Sequence, residues 1–171
     1  MKPASKNAAR RTPREDPRAQ LVELFYPVHY TVGLAIEDII RAKVLTRKQA
    51  AILWLIRSEG REQKMMPRKQ IERFVSEWFE LSNSEISKAL RAMARPPLEL
   101  ISIVESPNSG RERSIMLTPK GERFMRDAVA SAIRFFDPVR DGVDRGSAKA
   151  GIRFLEDAIV ALAAARSRGA K

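Results

Sequence analysis

Between Leu21 and Val44 the apolar side chains recur as Leu21, Phe25, Val28, Val32, Ala35 with Ile36, and Ile39, the three-and-four spacing that lays one stripe along a helix. Pro27 either starts the main helix or kinks it, because it has no amide hydrogen and a fixed backbone angle. A second helix is expected from Thr46, a good N-cap, with Ala50, Leu53, Trp54 and Ile56 on its inner face and Gly60 near its end. A third runs from about Pro67 with Ile71, Phe74, Val75 and Trp78 on one side. The fourth opens on Ser82, Asn83, Ser84 and Glu85. This is a capping box, in which the serine hydroxyl takes an orphan amide and the glutamate reaches back. Its apolar positions are Ile86, Leu90 and Met93, which leaves Ser84, Ser87, Lys88 and Arg91 on the opposite side, and Pro96 with Pro97 stops it.

The period then changes. Leu100 to Glu105 is rich in β-branched residues, Ser106 to Gly110 has turn chemistry, and Arg113 to Leu117 returns as the second strand of a hairpin. Thr118 followed by Pro119 restarts a helix that reaches about Phe136. Asp137 to Gly146, with Pro138, Gly142 and Gly146, reads as a bend or loop, and a last helix from near Ser147 carries Ile152, Leu155, Ile159 and Leu162 as one stripe. Residues Met1 to about Ala19 mix Lys, Arg, Pro and Ala without apolar periodicity and read as a disordered basic tail.

Composition removes several chemistries. The 171 residues contain no cysteine and one histidine. Disulfides, thiolate zinc sites, cysteine nucleophiles and thiol redox sensing are therefore excluded. A serine-histidine-acid triad would have to use His29, and one chain cannot supply a two-histidine zinc site. No apolar run of about twenty residues marks a membrane span, and the tail's arginines precede no apolar core of a secretory signal, so a cytoplasmic protein is expected. The net charge of +11 attracts polyanions. It is regional: Arg41 to Arg73 holds ten basic and three acidic residues, whereas Leu21 to Ile40 holds Glu23, Glu37 and Asp38 with no lysine or arginine.

A capped short helix followed directly by a two-stranded ribbon, both with positive tips, is the layout of a winged helix-turn-helix. The fold class expected is mainly α with a small β-hairpin wing, a winged core at 45–124 between a helix at 20–44 and helices at 125–171. The second helix of such a motif enters the major groove while its partner braces the backbone. Asn83, Ser84, Ser87, Lys88 and Arg91 then face DNA, the short polar groups suited to base edges or phosphates and Arg91 to bidentate contact with guanine. Arg111 and Arg113, at the hairpin turn with Ser109, Gly110 and Glu112, are placed to enter a minor groove. A solvated helix face and a charged hairpin tip look the same when each is taken alone.

The segment from Leu45 to Phe124 resembles the winged-helix core of the MarR family of bacterial regulators. The likeness rests on Ser87 and Lys88 in the fourth helix, and on Arg111 followed by Leu117, Thr118, Pro119, Lys120 and Gly121. The family's wing commonly reads Asp-x-Arg, five residues, then Leu-Thr-x-x-Gly. Arg111 and Leu117 to Gly121 match at that spacing, while Ser109 stands where the aspartate is usual. Pro96-Pro97 also stands where a lysine and a glycine often end the recognition helix. The resemblance implies a homodimer held by the first and last helices, for which Phe25, Val28 and Val32 and the stripe Ile152, Leu155 and Ile159 supply surfaces that intrachain core packing would use equally. It implies a DNA-binding regulator without a cofactor, acting on a pseudo-palindromic operator with half-sites roughly 10 base pairs apart. Members often release DNA on binding a small aromatic molecule, for which Tyr26, His29, Tyr30 and Trp54 are the candidates here.

Two other classes remain in view. The same charge suits a non-specific architectural binder of nucleic acid, RNA included. A metal-dependent enzyme would draw on Glu37 with Asp38 or Glu77 with Glu80, but no phosphate-binding glycine loop accompanies these pairs, and an enzyme is not expected.

Overall fold

A computed structural model describes residues 16–60, 65–106 and 109–169. The predicted basic tail lies outside the described residues as far as residue 15, as do Pro107 and Asn108 of the turn. Two compact units divide the chain, 1–128 and 129–171.

In the first unit the chain enters helix α1 (Pro17–Pro27), two residues earlier than the expected end of the tail. Asp16 starts it by accepting from the Arg18 amide at 2.9 Å and pairing with the Arg18 guanidinium. Pro27 does not start a helix but is the last residue of this one. The ladder that loses its amide passes into a π-helical turn, Val28–Gly33, which continues as α2 (Leu34–Arg41). Helix α3 (Arg47–Glu59) begins at Thr46 and ends at Gly60 as its sequence indicates, and Gln49 completes a capping box there. Next come β1 (Met65–Pro67), α4 (Arg68–Phe79), α5 (Asn83–Met93), β2 (Ile101–Ser106) and β3 (Ser109–Leu117).

The wing is a hairpin of β2 and β3 that gains a third strand, giving an antiparallel sheet of order β1-β3-β2. In β1, Met65 faces Met116, Met66 faces Ile115 and Pro67 faces Ser114. Proline, which cannot donate to a ladder, sits on the edge strand where it is tolerated. Strand β1 runs directly into α4, so this pairing fixes the start of α4 beside the wing.

Ile52, Leu53, Leu55 and Ile56 of α3, Ile71 and Val75 of α4, Ile86, Leu90 and Met93 of α5, and Ile101 and Ile115 of the sheet form one buried core. Helix α6 (Pro119–Phe135) adds Met125 to it. Its start explains the Leu-Thr-x-x-Gly pattern. The Thr118 hydroxyl donates to the Glu99 carbonyl at 2.7 Å and accepts from the Gly121 amide at 3.0 Å. A Cβ on Gly121 would lie 1.9 Å from the Leu100 carbonyl oxygen, so only glycine lets α6 approach β2 this closely.

In the second unit Asp137–Gly142 is not a loop but a short helix, α7, with Asp137 and Pro138 in its first turn. The first turn, where proline loses nothing, outweighs the turn composition. Helix α8 (Arg145–Gly169) starts two residues before Ser147. The Asp144 carboxylate accepts from the amides of Gly146 and Ser147 at 2.9 and 3.0 Å, and the Ser147 hydroxyl first, then these amides, hold it below the usual carboxylate range.

Candidate nucleic-acid interface

Helix α5 is anchored along its length. At its N-terminus Ser82 and Glu85 complete the capping box, and Lys48 of α3 donates to Glu85 at 3.1 Å. The backbone and hydroxyl contacts from Ser82, then Lys48, hold the Glu85 carboxyl below its usual range. Ile86, Leu90 and Met93 are buried beneath, and past its end the Leu100 amide donates to the Met93 carbonyl at 2.8 Å. The structure therefore presents Asn83, Ser84, Lys88 and Arg91 outward from a fixed rod, all of them exposed. Lys88 and Arg91 form no ion pair with any described residue, so both charges are uncommitted.

Ser87 differs from its neighbours on that face. It is half-buried, its hydroxyl donates to the Asn83 carbonyl at 2.7 Å, and it accepts from the Arg68 guanidinium of α4 at 2.6 Å. Arg68 is itself held by Glu72 one turn along α4 at 2.7 Å. The result is a polar chain Glu72, Arg68, Ser87 across the two helices. Arg68 and Lys69 lie beside this face, bonded to Ser87 and Glu112, and their sequence context did not single them out. Their one local signal was a basic pair directly after Pro67.

On the wing, Arg113 pairs with Glu105 across the hairpin at 3.4 Å. The backbone of Arg111 belongs to β3, and its side chain lies outside the described residues. Glu112 bridges back to Lys69 of α4 at 2.9 Å. Pro67, Arg68, Lys69, Glu72, Glu112 and Arg113 line an open cleft of about 360 Å³.

The aromatic candidates separate. The rings of Tyr26 and Tyr30 lie tilted at 49° with centroids 4.7 Å apart and His29 meets Tyr30 edge-on at 4.8 Å, from the end of α1 into the turn that follows. Trp54 makes no ring contact with them among the described residues; the Arg57 guanidinium lies 5.4 Å from its ring centre. No group of three or more His, Cys, Asp or Glu able to hold a metal occurs among the described residues, and none of their helices is long and apolar enough to cross a membrane.

Residues 45–121 match the family model described as a winged helix DNA-binding domain. No curated protein matches the chain. Among solved structures, a MarR family protein from Bacillus stearothermophilus superposes with a TM-score of 0.70 at 18% identity, over 90% of this chain and 99% of that one. Sco3205, a MarR family transcriptional regulator from Streptomyces coelicolor solved in complex with DNA, gives a TM-score of 0.57 at 15% identity over 85% and 87% of the two chains. MepR from Staphylococcus aureus, also solved with DNA, gives 0.57 at 13% identity over 83% and 97%. Residues 45–121 thus match a winged helix DNA-binding domain and the chain has the fold of these MarR family structures, so the resemblance carried by the wing pattern is borne out at that level.

Proposed function

We propose that this protein is a homodimeric transcriptional regulator that reads a pseudo-palindromic DNA site with α5 and steadies itself through the wing. The observation that carries the reading is the uncommitted Lys88 and Arg91 on the outer face of a helix fixed at both ends. A rigid element presenting free donors is what base readout requires, since mobile donors would lose their geometric advantage on binding. The neighbours solved with DNA support the same use of the fold.

Dimerisation is supported within each unit separately. In the first, Val22, Phe25 and Val28 are exposed on α1 and its continuation; in the second, Ile152 and Ile159 of α8 are 57% and 69% exposed. Contiguous apolar stripes on this scale mark association surfaces. Two-fold pairing would set recognition helices about one DNA turn apart, giving half-sites roughly 10 base pairs from centre to centre. The exposed cluster of Tyr26, His29 and Tyr30, with Trp54 as a separate element, is the contact we propose for a small aromatic effector that releases DNA.

Selection of bound fragments from genomic DNA tests the reading. Recovery of a shared inverted repeat, bound at physiological salt in the presence of competitor DNA, is the expected result. Recovery of fragments with no common sequence would favour the architectural binder instead.

A further inference from the structure

The cleft between α4 and the wing gathers charges that lie outside α5. Three cations, Arg68, Lys69 and Arg113, and two carboxylates, Glu72 and Glu112, line it. Their commitments differ. Glu72 and Ser87 fix Arg68 within the helix pair, and Glu105 holds Arg113 within the hairpin. Lys69 and Glu112 are the pair that joins α4 to β3, forty-three residues apart in sequence.

This pair sits where a DNA backbone would pass if α5 and the wing engage the duplex together. Arg68 touches Ser87 of α5, and Glu112 and Arg113 belong to β3, so the cleft lies between the two contacting elements. The Lys69 side chain is 81% exposed and that of Glu112 is 42% exposed, which makes their bond a solvent-accessible contact that an incoming anion can replace. A carboxylate oxygen at 2.9 Å from an ammonium has the same geometry as a phosphate oxygen in that place.

We propose that this cleft is a phosphate-binding site of the DNA interface, and that Glu112 occupies Lys69 in the place of a backbone phosphate until DNA displaces it. Glu112 is therefore a brake on affinity that carries no sequence information. The inference rests on the proposed engagement of DNA by α5 and the wing, but not on any preference for particular bases.

The test uses the full chain and a random-sequence duplex about 30 base pairs long, titrated at several salt concentrations, with a duplex recovered by selection as a second probe. Glu112→Gln is expected to tighten binding about three- to tenfold on both duplexes, because Lys69 no longer has to give up a carboxylate partner before it meets a phosphate. Glu112→Ala, which also deletes the hydrogen-bond acceptor, is the second variant and is expected to do the same. Lys69→Ala should weaken binding and reduce the slope of log affinity against log salt by about 1 per chain. In the Lys69→Ala background, Glu112→Gln should give no gain. Unchanged or weaker binding by both Glu112 variants would overturn the proposal. So would an unaltered salt slope for Lys69→Ala, or a gain from Glu112→Gln that persists without Lys69. Loss of all preference for the selected duplex in the unsubstituted protein would refute the sequence-specific regulator reading while leaving these measurements decisive on the random duplex.

Discussion

The Arg68 guanidinium donates to the Ser87 hydroxyl at 2.6 Å, and through that bond α4 holds the middle of α5, the helix proposed to read DNA. Because Ser87 also donates its only hydroxyl proton to the Asn83 carbonyl, it has none left for a base. Ser87→Ala should therefore leave sequence preference nearly intact. Arg68→Ala should weaken binding on all sequences to a similar extent, because the contact it loses orients the helix. Affinities for a selected and a scrambled duplex, measured for both variants, check this. A loss of preference confined to one base pair in Ser87→Ala would contradict it.

The close passage of α6 over β2 gives a prediction about stability. At Gly121 an added Cβ would fall 1.9 Å from a backbone carbonyl oxygen, which no side-chain rotation relieves. Gly121→Ala should cost more than about 2 kcal/mol, the range of forced backbone displacement in a packed core. Urea unfolding monitored by helical circular dichroism measures it. A change within about 0.5 kcal/mol, as for ordinary surface substitutions, would mean that α6 does not approach β2 in this way.

At the start of α5, Ser82→Ala should cost about 1 kcal/mol through loss of the cap. Glu85 adds a pH dependence. Its carboxyl titrates lower in the folded chain than in the unfolded one, so its contribution is complete above the usual carboxylate range. That contribution disappears as pH falls below the usual carboxylate range and through the lowered folded value. Glu85→Gln should flatten the fall in melting temperature over that window, and an unchanged pH profile in this variant would argue against the capping and Lys48 contacts.

The apolar stripe of α8 yields a prediction on assembly. Ile152→Glu and Ile159→Glu place charges on surface that the proposed dimer buries, at positions where neither side chain is buried within the chain. Both variants should sediment as monomers and keep the wild-type helical signal. Dimers of undiminished stability would assign pairing to another surface.

Much of the winged-helix architecture was legible in the sequence because its signals are local. Thr46 and Gly60 bracket α3, Ser82 and Glu85 start α5, and Thr118 with Pro119 starts α6, each through chemistry confined to one helical turn. Strand β1 was not legible, since three residues carry no period, and its existence depends on pairing with Met116, Ile115 and Ser114 roughly fifty positions later. The same distance hid Arg68 and Lys69: their partners Ser87 and Glu112 are joined to them by the sheet and by helix packing. The apolar run through Pro27 predicted a helix, but not that the ladder would pass the proline by widening into a π turn. Asp137 to Gly142 misled in the opposite direction, because proline and glycine serve helix ends as well as loops.

The central claim is that α5 reads bases through Arg91. The most direct measurement is the ratio of affinities for a selected duplex and a scrambled one at physiological salt, for the unsubstituted protein and Arg91→Ala. A loss of preference by about 1 to 3 kcal/mol in Arg91→Ala, with binding to the scrambled duplex little changed, is predicted. Equal weakening on both duplexes, or no preference in the unsubstituted protein, would contradict it.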